Sequence, residues 1–266
     1  MTMSATPSFP LSVLPPGVLA GPVRRRTVWV GDVPAAPDDW VRLRDLGRPH
    51  GLLPLLLADD GPWGPGWWTR EHVFRPERMS DPDDHHAEVV LRTCWAGVVP
   101  DEEEDEDPEG EGIEVIAPFG RTWAGLAEPG PAAGVDPERT AAETAAVLIG
   151  AGGRGRPRPA LVPARRSADL PAAAGWTGPT NHTNDTAVLS AVLRSWEDRY
   201  GARVVALGFD HLLASVASPP VTSAAALAVA AEHFAFCPDN VWQGAGSIRE
   251  YARELRGAHT WTFWWD

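Results

Sequence analysis

The chain has 266 residues, 44% of them hydrophobic, enough to bury one large core or two ordinary ones and too apolar for a disordered polymer. Its formal charge of −13 is concentrated in the acidic run Asp101–Asp107 with Glu109 and Glu111, and the remainder carries only −4. From Arg156 onward arginines and acids number ten each, so no basic footprint for nucleic acid exists there.

The first 20 residues, rich in Pro and Ser, are expected to be disordered. Val28 and Val30 alternate against Trp29 as a β segment. Asp38 or Asp39 can cap a short helix through Arg44 that ends near Gly47. Leu52 to Leu57 reads as a buried strand, and Gly61 to Trp68 as a turn-rich loop. Asp83 to Val98 reads as a helix with Val89, Val90 and Leu91 inward, stopped by Pro100. The acidic loop 101–111 repels itself into solvent, and Ile113 to Phe119 is expected to return as a strand. Asp136-Pro137-Glu138 starts a helix that runs to Ile149 and is closed by Gly150. Residues 150–159 are expected to form a linker made almost exclusively of glycine, proline and arginine. They are not a phosphate loop, because no Lys-Ser/Thr follows.

Past the linker, Ala160 to Pro163 reads as a strand. Asn184 can cap a helix over Asp185 to Tyr200, with Val188, Leu189, Val192, Leu193 and Trp196 on one face and Gly201 as its stop. Arg203 to Leu207 and Leu212 to Ala217 read as strands. Thr222 or Ser223 caps a helix to about Phe236, and Ser247 with Glu250 forms a capping box for a helix to Leu255. Thr260 to Trp265 is a last strand. The expectation is an α+β fold: a less regular α/β region over 21–149, then a C-terminal β-α-β-β-α-α-β domain over 160–266. Helices on one face of a sheet suggest a ferredoxin-like layout.

The segment Glu232-His233-Phe234-Ala235-Phe236-Cys237-Pro238-Asp239-Asn240-Val241, with Tyr251-Ala252 and the ending Trp261-Thr262-Phe263-Trp264-Trp265-Asp266, resembles the bacterial domain-of-unknown-function 4253 family. The likeness extends back through Val204–Phe209, Pro219-Pro220 and Leu193–Glu197, roughly residues 158 to 266. Ala117–Gly120 and Gly125–Ala127 resemble the upstream region of related full-length proteins. The resemblance identifies the domain and implies no activity.

The helix before Cys237 is apolar nearly all round, so Glu232 inside it needs a partner or a raised pKa. His233 and Cys237 stand four residues apart, and Pro238 places the thiol at a helix end. With Asp239 orienting the histidine, this is the pattern of a thiolate nucleophile. Against that reading, a helix C-terminus favours thiol over thiolate, and Cys237 also fits as a small packed hydrophobe. Asp239 and Asn240 supply turn-forming polar groups. Adjacent His85 and His86 make a poor chelate, and neither metal nor cofactor is expected. Alternation in the last strand sets Trp261, Phe263 and Trp265 on one face and Trp264 on the other. Trp264 with Trp242 is therefore a candidate aromatic surface for a partner.

The 23 basic residues are all arginine, the mark of GC-rich, actinobacterial-type coding. Two separated cysteines suit a reducing cytoplasm, and no apolar stretch is long enough to span a bilayer. Two functions remain. One is a non-catalytic protein-interaction module, of immunity type in its narrower form. The other is an enzyme of unknown reaction using Glu232, His233, Cys237 or Asp239.

Overall fold

The computed structural model describes residues 9–22, 26–58, 66–99, 113–130, 134–151 and 155–266. One mixed sheet of seven strands organises them, in the order β1 (Gly17–Ala20), β2 (Val28–Gly31), β4 (Arg158–Pro163), β3 (Leu52–Leu57), β5 (Ala202–Leu207), β6 (His211–Val216) and β7 (Thr260–Trp264). All neighbours are antiparallel except β3 and β5, which pair in parallel through Leu56–Ala206 and Leu57–Leu207. Helices α1 (Asp39–Gly47), α2 (Ala87–Val98), α3 (Pro137–Gly150), α4 (Leu170–Ala174), α5 (Ala187–Tyr200), α6 (Ser223–Phe236) and α7 (Ile248–Leu255) complete the framework.

The α+β character is as expected, but the strand arrangement is not ferredoxin-like. In that layout the first and third of four strands lie together at the centre. Here β4, β5, β6 and β7 follow sequence order, with β3 inserted between the first two. Helices also cover both faces. Val30, Leu55, Val162, Val204 and Ala214 point into the main core with Leu91, Val192 and Phe234. On the opposite face Leu56, Val205 and Ala206 pack with Trp40, Ala141 and Ala145 from α1 and α3. The reason lies in β3 and β5: strands apolar on both sides must be covered on both.

Three caps readable from local sequence are present, whereas Asp38 makes no side-chain cap bond at the start of α1 and Gly150 lies inside α3, whose cap is Ala151. The Asp136 side chain accepts from Glu138 N (3.0 Å), that of Thr222 from Ala225 N (3.2 Å) and that of Ser247 from Glu250 N (3.2 Å). Gly201 closes α5 at a φ of 62°. Four further expectations need correction. Gly17–Ala20, within the segment expected to lack order, pairs with β2. Ile113–Pro118 forms turns instead of a strand; its Val115 and Ile116 are both buried, so they fill the core without a ladder. Helix α2 begins at Ala87, after a separate turn at Pro82–Asp84, and its Val89 is 47% exposed while Leu91 faces the core. Asn184 does not cap α5, which starts after Thr186. The acidic loop 101–111 lies outside the described residues. No helix among them is long and apolar enough to cross a membrane.

Candidate functional site

Helix α6 carries two ionisable side chains into the core, and both are completely buried. Glu232 receives four hydrogen bonds. Arg199, at the end of α5, approaches it bidentately, Nη1 to Oε1 at 2.8 Å and Nη2 to Oε2 at 2.6 Å. Trp196 Nε1 donates to Oε2 and the Ala127 backbone N–H to Oε1, each at 2.6 Å. A carboxylate removed from water is tolerable when its charge is matched and its lone pairs are filled. Burial opposes the Arg199 charge, yet the hydrogen bonds and charge of Glu232 outweigh it and raise the guanidinium pKa.

The same arginine continues onto the extended segment that crosses this end of α5. Arg199 Nη1 donates to Ala127 O (2.8 Å), Tyr200 Oη to Glu128 O (2.8 Å), and Gly130 N to Arg199 O (3.1 Å). Every one of these bonds meets the main chain of 127–130. Gly130 fits because a Cβ there would meet Ser218 O at 2.1 Å. Burial, with smaller contributions from Glu232 and Glu128 against the lowering effect of Arg199, pushes the Tyr200 phenol up to about 12.

His233 lies in an aromatic enclosure, with ring centroids of Trp261, Trp196 and Phe263 at 4.5, 4.7 and 4.8 Å. Its Nδ1 is 3.1 Å from Tyr251 Oη, which itself receives Asn240 Nδ2 at 2.8 Å. That order of donors leaves the phenol proton for Nδ1 and puts the imidazole proton on Nε2, which has no hydrogen-bond partner among the described residues and lies within the ring enclosure. Burial, and then the nearby Arg199 charge, hold the pKa well below the ordinary histidine value, so the ring is neutral.

Beyond α6 the chain turns through Pro238 into a π-helical segment, Asn240–Ala245, closed by Gly246 at a φ of 78°. This turn carries Cys237 and Asn240 to the outer edge of β7. Asn240 Nδ2 donates to Thr262 O (2.7 Å), and its Oδ1 accepts from Trp264 N (3.4 Å). Cys237 Sγ donates to Trp264 O (2.9 Å) and to Asn240 Oδ1 (3.4 Å). The Asn240 amide thus stands in for the peptide of an eighth strand and satisfies a sheet edge that would otherwise be open. Burial raises the Cys237 thiol pKa far above its ordinary value, which keeps it a donor and a poor nucleophile.

Asp239 faces elsewhere. Its Oδ2 accepts from His182 Nε2 (3.2 Å) and from Asp266 N (3.1 Å), and its Oδ1 from Gln243 Nε2 (3.2 Å). The five residues are close in sequence, but the side chains of Glu232 and Asp239 each have hydrogen-bond partners apart from those of His233, Cys237 and Asn240. His233 and Asn240 share the partner Tyr251, and Cys237 bonds Asn240 directly and shares Trp264 with it. Trp242 is half-buried against Phe234, at 5.7 Å between ring centroids, and Trp264 is half-buried opposite His211. Trp261, Phe263 and Trp265 lie in the core.

The need of Glu232 for a partner is readable from its apolar helix, but the identities of Arg199, Trp196 and the 127–130 backbone are not. A second polar pair carries no sequence motif. Ser80 Oγ and His85 Nε2 are 2.6 Å apart, and Ser80 lines a groove of about 900 Å3 together with Arg48, Arg165 and Arg194.

No curated protein and no solved structure matches the chain. Residues 158–266, which hold every side chain of the Glu232 and Asn240 networks, match the family model described as a domain of unknown function (DUF4253).

Proposed function

We propose that the protein is a non-catalytic interaction module, and that Glu232 to Asn240 fastens its C-terminal segment together instead of performing a reaction. One observation carries this reading: the side chains that could do chemistry there are buried and committed to internal bonds. Glu232 is neutralised by Arg199, His233 is enclosed by rings, and Cys237 is a thiol bonded to Trp264 O. A nucleophile needs access and a base; Cys237 has neither. In its narrower form the module is of immunity type, binding one protein partner.

Affinity capture of the tagged chain from its source cells tests the reading. A partner recovered in stoichiometric amount, and bound again by both proteins once purified, supports it; no stoichiometric partner counts against it. In parallel, Glu232→Gln and Cys237→Ala should lower stability, and any cellular phenotype should fall only as far as the folded fraction does. A folded variant that has lost all activity would instead place chemistry in this segment.

An enzyme remains the second reading, favoured by a different observation. The Ser80–His85 contact has the spacing of a nucleophile and its base. Labelling of the protein by a fluorophosphonate, absent in Ser80→Ala, would establish an activated serine; no labelling above that of Ser80→Ala removes the reading.

A further inference from the structure

The groove of about 900 Å3 shares no lining residue with the Glu232 or Asn240 networks, and its volume is that of a small-molecule site. Three guanidiniums reach it from three parts of the fold: Arg48 after α1, Arg165 after β4, and Arg194 on α5. Ala164 N donates to Gly51 O (3.3 Å), which sets the Arg48 turn beside the Arg165 segment.

The three arginines are not equivalent. Arg194 is held by the buried Asp169 through Nε and Nη2 at 2.5 and 3.1 Å, and by Asp83 through Nη1. Arg48 and Arg165 are both exposed, and their side chains make no hydrogen bond or ion pair with any described residue. Arg166, Arg199 and Arg203, by contrast, each hold a carboxylate. Asp81 is the remaining acid of the lining, and one of its oxygens already accepts from Asp83 N (3.0 Å). The groove is formally neutral: Asp83 and Asp169 gather on Arg194, Asp81 stands apart, and no carboxylate is bonded to the Arg48 or Arg165 guanidinium, although the Asp83 charge acts on Arg165 from a distance. Leu53, Pro76, Met79 and Ala173 supply apolar wall beside them.

We propose that this groove binds a small molecule carrying an oxyanion, phosphate or carboxylate, on a compact apolar body. Arg48 and Arg165 take the anion, and the fixed Arg194 has two N–H groups left to support it. The chain's −13 repels anions at long range, but at physiological salt charges beyond roughly 8 Å are screened and the local pair decides.

Calorimetric titration of the full chain tests this with phenyl phosphate, benzoate and inorganic phosphate. Saturable one-to-one binding of phenyl phosphate or benzoate is expected. The preferred probe distinguishes the two oxyanions, and inorganic phosphate should bind at least about tenfold more weakly because it lacks the body. The Arg48→Ala/Arg165→Ala double variant should lose at least about tenfold in affinity with an unchanged melting temperature, since neither side chain is bonded in the fold. Absence of saturation by either aromatic probe, or equal binding by the double variant, overturns the proposal. Inorganic phosphate binding as tightly as phenyl phosphate removes the apolar part of it.

Discussion

Arg199 joins three things at once: the Glu232 carboxylate, the Ala127 carbonyl and the Tyr200 hydroxyl. Removing one partner of a buried pair leaves a charge with neither water nor counter-ion. Arg199→Ala is therefore expected to cost about 3–5 kcal/mol, a large share of the stability of an ordinary domain; urea denaturation measures it. Arg199→Lys should cost less, because it keeps the charge while losing the two-pronged geometry. His233 gives a pH dependence whose sign follows from its lowered pKa. The unfolded chain binds a proton near pH 6.5 and the folded one resists it, so this contribution is full above that pH. It is lost as the pH falls toward the folded value, by up to about 1.4 kcal/mol per pH unit. Urea midpoints at pH 7.5 and 5 should diverge more in the wild type than in His233→Gln, where the titrating group is gone. Sequence could demand a partner for Glu232, since the demand is local, but Arg199 lies 33 residues away on another helix. Only packing brings them together.

Among the secondary elements, β7 shows how a polar side chain can end a sheet. Its outer face is sealed by Asn240 and Cys237 through Thr262 O, Trp264 N and Trp264 O. Asn240→Ala opens that edge and unpairs the Tyr251 hydroxyl from its donor. A cost of about 2–3 kcal/mol is expected, with faster amide hydrogen exchange at Trp264 and some self-association through the bared edge. Exchange at Leu57, deep in β3, should be slowed relative to Trp264 in both proteins. The caps Asp136, Thr222 and Ser247 were legible because each is decided within four residues of sequence. The same local logic could not place Ile113–Pro118, whose apolar residues serve the core from a turn. Nor could it find the edge seal, which needs the register of β6 and β7 and the π-helical turn together.

At the scale of the whole molecule, the family match and the sheet do not divide the chain at the same place. Residues 158–266 match the family, yet β3, from residues 52–57, lies between β4 and β5 within their sheet. A fragment of 158–266 lacks its central strand, together with the Ala127 N–H bonded to Glu232. It is expected to be unfolded or aggregated by circular dichroism, and to gain structure when residues 9–151 are supplied in trans. The sequence pointed to a break at 150–159 because glycine, proline and arginine gather there. Composition reports where glycine and proline gather, but not which strands the chain joins on either side.

The insertion of β3 also has a consequence in time. Leu56 pairs with Ala206, a residue made 150 positions later, and at roughly 5–20 residues per second the ribosome takes about 8–30 s to supply it. For that interval a strand apolar on both faces waits without its parallel neighbour. Nascent chains of this protein should therefore depend on a holding chaperone until β5 emerges, and slower translation should lengthen that dependence.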